Sequence, residues 1–322
     1  MSRLCIRPSC CRSRSMAGGG PIDCAWRLCS VFLAVMASSG EAQELEPRAY
    51  SASPVGANFA VVGYGRSTGQ VVTDPTLPIS DVSAHINALS LGLGRTFGVG
   101  GRQGLVTASL PYSWGDAEGN VGEEQRRITR SGLVDLRAKL SVNLFGSPAL
   151  TPAKFAQRPR ERFILGTSLA VAAPTGQYEP SRLINLGNNR WAFKPEIGLS
   201  VPWRRFYFDA YAGAWFFTDN SDYYPGGSTR DQDPLTSLQA HVSYTFRRRL
   251  WLAVDSTWYG GGNTQVDDGA PSGRLSNSRL GATLSVPIIG GHSTKVAYST
   301  GASVRSGSDF ESVAIAWQYQ WF

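Results

Sequence analysis

Residues 206–216 read FYFDAYAGAWF, and their chemical character changes at every second position. The even positions hold only phenylalanine and alanine, whereas the odd positions include Asp209, Tyr211, Gly213 and Trp215. Successive side chains of a β-strand point to opposite faces. The stretch therefore predicts a strand with one apolar face and one mixed or polar face.

The same alternation continues in residues 237–246 and, after a turn of three arginines, in residues 250–259. Two classes of protein have this pattern. A soluble β-sandwich buries the apolar face in its core and leaves the polar face in water. A membrane barrel turns the apolar face to lipid and the polar face to a lumen. The alternation by itself leaves both classes open.

Composition favours the membrane barrel. Only 17% of the 322 residues are charged, which is below the roughly 25% of typical soluble domains. The mean hydropathy of −0.16 is too polar for a bundle of membrane helices but suits a barrel, whose apolar residues are spread over alternating segments. The bases that give a net charge of +7 are scattered, and they form no basic face interleaved with aromatic residues. We therefore predict no nucleic-acid partner.

The first 42 residues are typical of a secretory signal peptide. Arg27 precedes an apolar stretch at residues 28–37 that is too short to cross a bilayer as a helix, and small residues suit cleavage before Gln43. All five cysteines lie in this segment, so they indicate no zinc site in the mature chain. We divide the chain into a signal peptide at residues 1–42 and an outer-membrane barrel at residues 43–322.

The mature chain alternates strand-like runs with polar connections, and we count about twelve strands. The even number is typical of single-chain outer-membrane barrels, in which short periplasmic turns also alternate with long outer loops. Long connections are expected near residues 65–82, 115–127, 175–188, 219–235 and 261–276. The strands are expected near residues 57–64, 84–97, 103–114, 130–145, 163–174, 189–203, 206–218, 236–246, 250–260, 278–288, 293–303 and 312–322. The sequence thus predicts an all-β fold, a single antiparallel transmembrane β-barrel.

The C-terminal strand is rich in aromatic residues. Trp317, Tyr319 and Trp321 share one face, and the chain ends on Phe322. Such a strand is similar to the signal that the outer-membrane assembly machinery recognises. We therefore expect that machinery and the outer-membrane lipids as partners.

Several segments also resemble one known family, the transporters named after the meta pathway of phenol degradation. The resemblance covers roughly residues 105–322 and implies an outer-membrane barrel. It rests on residues 132–152 (GLVDLRAKLSVNLFGSPALTP), 174–180 (PTGQYEP), 182–191 (RLINLGNNRW), 216–220 (FFTDN), 277–281 (NSRLG), 299–301 (STG) and 316–321 (AWQYQW).

The strand alternation also predicts which side chains line the lumen. If the turn at residues 247–249 sets the register, His241 lies opposite Asp255, and the two form an ion pair across neighbouring strands. Two interpretations stay open: the charges stabilise the barrel interior, or they form a selectivity path for a solute. The expected lumenal residues are Asp135, Arg137, Lys139, Lys194, Glu196, Asp209, Tyr211, Gln239, His241, Asp255, Arg279 and Lys295.

The function that these features favour is passive uptake of small solutes, aromatic compounds among them, through an outer-membrane channel. A barrel enzyme acting on lipids is the main alternative, but none of the three histidines stands in a pattern that would activate a nucleophile. A structural or adhesive surface barrel is the other alternative, because long polar loops suit partner contacts. We predict no enzymatic activity, metal site or cofactor; Gly260-Gly261-Gly262 precedes no helix that would make it a phosphate cradle.

Overall fold

The computed structural model describes residues 45–72, 79–121, 124–159, 162–305 and 307–322. The expected signal peptide at residues 1–42, with Gln43 and Glu44, lies outside these ranges. Its existence and the cleavage point stay predictions.

The described chain is almost entirely β-structure. One short helix, α1 (Pro152–Gln157), lies in the connection between two strands. In the described residues no helix is long and apolar enough to span a membrane. The strands are β1 (Asn58–Val72), β2 (Ile79–Val99), β3 (Arg102–Val121), β4 (Glu124–Leu133), β5 (Leu136–Phe145), β6 (Ile164–Ala173), β7 (Ala192–Trp203), β8 (Phe206–Phe217), β9 (Asn220–Tyr223), β10 (Ser228–Gln232), β11 (Leu235–Arg247), β12 (Leu250–Gly261), β13 (Thr264–Val266), β14 (Leu275–Pro287), β15 (His292–Ser303) and β16 (Gly307–Trp321).

Thirteen of these strands form one antiparallel sheet that closes on itself. The order runs β2-β1-β16-β15-β14-β12-β11-β8-β7-β6-β5-β3-β4, and pairing of β2 with β3 completes the ring. β4 and β5 pair with successive parts of β3, so together they make one interrupted strand of the wall. The wall of the described chain therefore has twelve strands, which confirms the predicted barrel.

The two faces of the wall are oriented as the alternation predicts. Outward side chains are apolar and exposed: Leu93 is 65% exposed and Val254 is 60% exposed. The neighbours of Val254 point inward and are buried, Ala253 at 1% and Asp255 at 0% exposure. Because a soluble sandwich would bury its apolar face, this orientation fits a wall surrounded by lipid.

Aromatic rings form a belt at the end of the barrel where the short turns lie. Trp203, Phe206 and Phe208 stack in succession, and Tyr319 stacks on Trp321 at a centroid distance of 5.4 Å. Aromatic girdles mark the membrane interfaces of outer-membrane barrels. Trp317 and Trp321 project outward with large exposed areas, so the C-terminal aromatic residues face the lipid side.

The outer loops are shorter than predicted, because strands extend into the residue ranges that were expected to be loops. β1 to β4 extend through most of residues 65–82 and 115–127 as paired strands. β9, β10 and β13 form a small separate sheet within the loops expected at residues 219–235 and 261–276. Backbone pairing stabilises these segments in water, where both faces can be polar. The apolar–polar period that identifies a membrane strand is therefore absent from them.

The prediction of one continuous strand at residues 130–145 was wrong in one respect: the observed strand is interrupted at Val134 and Asp135. The break lies opposite Pro111, whose carbonyl accepts the Val134 N–H at 2.9 Å. In a strand, the N–H and C=O groups of one residue point toward the same neighbouring strand. Because proline has no N–H, Pro111 can accept a hydrogen bond from the strand with the break but cannot donate one to it. The register shifts by one residue between the β4 and β5 pairings.

Candidate functional site

The lumen of the barrel contains a segment that lies before β1. Residues 45–57, called the N-terminal segment below, contact inward side chains of several strands. The backbone N–H of Arg48 donates to Asp209 Oδ2 at 3.3 Å, and the Ala49 N–H donates to the Tyr211 hydroxyl at 3.0 Å. The Arg48 guanidinium donates to Ser243 Oγ and Thr245 Oγ1, both at 2.7 Å.

Tyr50 anchors this segment at the centre of the lumen. Its side chain is 1% exposed, and its hydroxyl lies 3.0 Å from both Glu196 Oε1 and Ser168 Oγ. Its ring lies over Gly166 and Gly198, which pair in register on β6 and β7. A Cβ atom at either glycine would collide with the ring. Burial, with the nearby Glu196 carboxylate, raises the pKa of the Tyr50 hydroxyl, so it stays a neutral donor to that carboxylate.

Lysines surround the two acidic side chains beside Tyr50. Lys139 Nζ lies 2.6 Å from Glu46 Oε2 and 3.7 Å from Glu196 Oε1, and Lys194 Nζ lies 2.9 Å from Glu196 Oε2. The Lys139 charge, assisted by Lys194 and Lys295, lowers the pKa of Glu46 to about 2. Electrostatic attraction therefore holds the start of the N-terminal segment against the wall.

A second buried group lies toward the end with the short turns. His241 pairs with Asp255 in the register that the 247–249 turn predicts, with His241 Nδ1 2.7 Å from Asp255 Oδ1. The other carboxylate oxygen of Asp255 accepts the Thr283 hydroxyl at 2.8 Å. The Tyr211 ring lies 5.2 Å from the His241 ring. This group ties β8, β11, β12 and β14 together.

Asp135, unlike the other expected lumenal residues, binds a loop. It lies at the break between β4 and β5 and is 2% exposed. Oδ1 accepts the Gly176 N–H at 2.9 Å. Oδ2 accepts the Asn188 N–H at 2.8 Å and its side-chain amide at 3.0 Å. Asp135 therefore fixes the loop between β6 and β7 to the interrupted strand.

Among the remaining predicted residues, Arg279 donates to Ser299 Oγ at 3.1 Å and to the Phe310 carbonyl at 2.7 Å. Gln239 donates to Glu196 at 3.4 Å. Arg137, Lys139 and Lys295 are half-buried. The buried members of the predicted set are Asp135, Lys194, Glu196, Asp209, Tyr211, Gln239, His241, Asp255 and Arg279.

The outer half of the lumen is partly apolar, which the sequence interpretation missed. Trp215, Leu235, Tyr259 and Leu275 form a buried cluster with two alanines. The alternation placed Trp215 and Tyr259 inward, but neither was selected as a candidate. Leu235 and Leu275 fell within the loops expected at residues 219–235 and 261–276, whereas the structure pairs Leu235 with Trp215. Within the described ranges, no group of three or more His, Cys, Asp or Glu side chains could hold a metal ion.

The family is settled by a sequence profile. The profile described as "Putative MetA-pathway of phenol degradation" matches residues 65–319. The chain belongs to this family. The matched residues run from β1 to β16, so the family likeness extends around the whole wall and leaves out the N-terminal segment. Among curated proteins, none matches the sequence significantly.

Solved structures with the same fold are barrels of the outer membrane. An outer membrane channel from Pseudomonas putida F1 shares 21% identity with a TM-score of 0.71, covering 86% of this chain and 100% of that one. The transport unit of the autotransporter AIDA-I from Escherichia coli shares 12% identity with a TM-score of 0.50, covering 92% and 96%. The β domain of the Bordetella autotransporter BrkA shares 14% identity with a TM-score of 0.50, covering 83% and 100%. The TM-scores show a shared fold, and the closed barrel with its apolar outer face places this family member in the outer membrane.

Proposed function

We propose that this protein is a channel through which small solutes, aromatic compounds among them, cross the outer membrane passively. The observation that carries the proposal is a closed wall whose inward face carries many buried polar and charged side chains, Lys194, Asp209 and Asp255 among them. The family description refers to phenol degradation, and the Pseudomonas putida barrel of the same fold is described as a channel. Both support this function for the chain.

The N-terminal segment occupies part of the lumen and sets how wide the passage is. Arg48 and Tyr50 contact different strands of the wall: Arg48 reaches Ser243 on β11 and Tyr50 reaches Ser168 on β6, with β8 and β7 between them. A solute must pass beside this segment or displace it. We therefore expect a low conductance while the segment is docked.

Two partners follow from the position of the barrel. The exposed outward side chains would contact lipid acyl chains. The C-terminal strand, with Trp317, Tyr319, Trp321 and Phe322, would be recognised by the assembly machinery. Removing Trp321 and Phe322 should reduce insertion into the outer membrane, and the barrel fraction measured in membranes would report it.

The test of channel function is the ionic conductance of the purified protein in planar lipid bilayers. We expect discrete conductance steps in the full chain and larger steps after deletion of residues 45–56. A protein that inserts as a folded barrel but carries no current, with or without residues 45–56, would overturn the proposal. The folded state is checked independently by far-UV circular dichroism.

A further inference from the structure

Arginine residues are concentrated in the tight turns at one end of the barrel. Four such turns connect β2 to β3, β7 to β8, β11 to β12 and β14 to β15. Six exposed arginines of these turns are called the arginine rim below: Arg102, Arg204, Arg205, Arg247, Arg248 and Arg249. The turns contain no aspartate or glutamate at residues 99–102, 203–206, 246–250 and 287–292. The rim is therefore a surface of one charge sign.

The opposite end of the barrel is rich in acidic residues. Residues 218–234, between β8 and β11, contain four aspartates and one arginine. Residues 262–274, between β12 and β14, contain two aspartates and one arginine. A surface with charges of one sign attracts ligands of the opposite sign. The end with the short turns therefore favours an anionic partner, whereas the end with the long loops does not.

The arginine rim lies beside aromatic rings of the outward face. The Arg204 guanidinium carbon lies 5.3 Å from the ring centroid of Trp203, whose side chain is 55% exposed. Arg205 Nη1 donates to the Tyr244 hydroxyl at 3.4 Å. Aromatic girdles of outer-membrane barrels lie at the level of the lipid headgroups. The guanidinium groups are therefore placed where the phosphates of one leaflet lie.

A cavity of about 350 Å³ adjoins the rim at Arg102, and this volume lies within the range of small-molecule sites. It is lined by the turn at residues 100–102 and by residues 143–148. The Arg102 guanidinium carbon lies 5.2 Å from the ring centroid of Phe145, whose side chain is 55% exposed. A Cβ atom added at Gly100 or Gly101 would meet nothing within 4 Å. A headgroup therefore has room beside a cation and an outward ring.

The positive charge of the rim is not neutralised by carboxylates of the chain. In the described part of the chain, no salt bridge involves Arg102, Arg205 or Arg248. Arg249 Nη2 donates to the amide oxygen of Gln320 at 3.0 Å, which is a neutral partner. A guanidinium has five N–H donors, and its fork matches two oxygens of a phosphate. The rim can therefore bind phosphate without first breaking an ion pair.

We propose that the arginine rim binds the headgroups of anionic phospholipids in the leaflet that the short turns face, with the cavity beside Arg102 as one defined site. A single lipid can place its acyl chains on the apolar wall and its phosphate on the rim, because the two surfaces are continuous. The contacts of the rim with Trp203 and Tyr244 on the outward face favour a lipid over a soluble acidic partner. The inference depends on the orientation of the barrel and is independent of the proposed channel function.

The test is native mass spectrometry of the purified protein, released from micelles that contain equal amounts of phosphatidylglycerol and phosphatidylcholine. Both lipids carry a phosphate, but only phosphatidylglycerol has a net negative charge. One arginine near an anionic membrane surface contributes about a five-fold preference, equivalent to about 1 kcal/mol. We expect the natural chain to retain at least about five-fold more phosphatidylglycerol than phosphatidylcholine. The preference should fall in about 1 M salt, where the screening length is about 3 Å.

Two variants and one control locate the preference on the rim. Arg102→Gln should lower the ratio of the two retained lipids by up to about five-fold, and a triple variant that also replaces Arg205 and Arg248 by glutamine should bring it close to one. These three arginines lie outside the left-handed backbone positions of the turns, so glutamine leaves the turn conformation unchanged. Arg126→Gln removes an exposed arginine from β4 and should leave the ratio as it is in the natural chain.

Equal retention of the two lipids by the natural chain overturns the inference, and so does an unchanged ratio in the triple variant or an equal loss in Arg126→Gln. Equal retention together with binding of polyglutamate would assign the rim to a soluble acidic partner instead. If a variant fails to fold, the lipid ratio of the natural chain and its salt dependence still decide the question. The assay measures no current, so a barrel that retains phosphatidylglycerol without conducting would overturn the channel function alone.

Discussion

Replacing Tyr50 by alanine should release the N-terminal segment from the lumen. The change removes a ring that is 1% exposed and the hydroxyl contacts at 3.0 Å to Glu196 and Ser168. Truncating a buried large aromatic residue costs about 3–5 kcal/mol. Because that cost falls on docking of the segment, the ratio of undocked to docked protein should rise by about two to four orders of magnitude.

The assay is single-channel recording of the Tyr50→Ala variant in planar bilayers. We expect the variant to spend much more time in the high-conductance state that deletion of residues 45–56 also produces. Tyr50→Phe, which keeps the ring and loses the hydroxyl, should have an intermediate effect. Tyr64→Ala is the control, because Tyr64 lies on the outer face of β1 and is 40% exposed. Identical conductance and dwell times in Tyr50→Ala and the natural chain would refute the anchoring argument.

Further predictions concern the charged groups of the lumen and its wall. The pKa of Glu46 is lowered from 4.5 to about 2 when the segment is docked, so its contribution to docking is complete above about pH 4.5 and is lost as the pH falls toward 2. Conductance should therefore be constant from pH 8 to 5 and rise on further acidification. The Glu46→Gln variant should abolish that rise. Asp255→Asn breaks the buried pair with His241 and should lower the free energy of unfolding by about 3–5 kcal/mol, measured by urea titration; unchanged solute uptake would favour a scaffolding role, and reduced uptake a selectivity role. Asp135→Ala removes three acceptor contacts and should expose the loop at residues 174–191 to protease, and a loop as resistant as that of the natural chain would contradict its assigned anchor.

The orientation of the wall could be predicted because side-chain alternation is a local property of a strand. The register between β11 and β12 could be predicted for the same reason, since a tight turn at residues 247–249 brings His241 opposite Asp255. Both inferences depend on residues close together in the sequence.

The N-terminal segment could not be predicted, because its partners are far away along the chain. Tyr50 contacts Ser168, Glu196 and the two glycines at positions 166 and 198, and no spacing in residues 45–57 indicates these contacts. The break at Asp135 did have a signal in Pro111, a proline within a strand-like run. Whether Pro111 interrupts a neighbouring strand depends on which neighbour of β3 lies on the side where its N–H would be. That neighbour is known only once the strands are paired.

The central claim is that the apolar face of the wall contacts lipid and the polar face lines a lumen. Ala253 and Val254 are neighbours on β12 whose side chains are 1% and 60% exposed. Residues 43–322 contain no cysteine, so single cysteines introduced at these two positions of a chain shortened to that range can carry nitroxide labels. In reconstituted protein, we predict that the label at position 254 is relaxed by lipid-dissolved oxygen, while the label at position 253 is shielded from it. A label at position 253 that reports lipid, or one at position 254 that reports water, would contradict the barrel orientation.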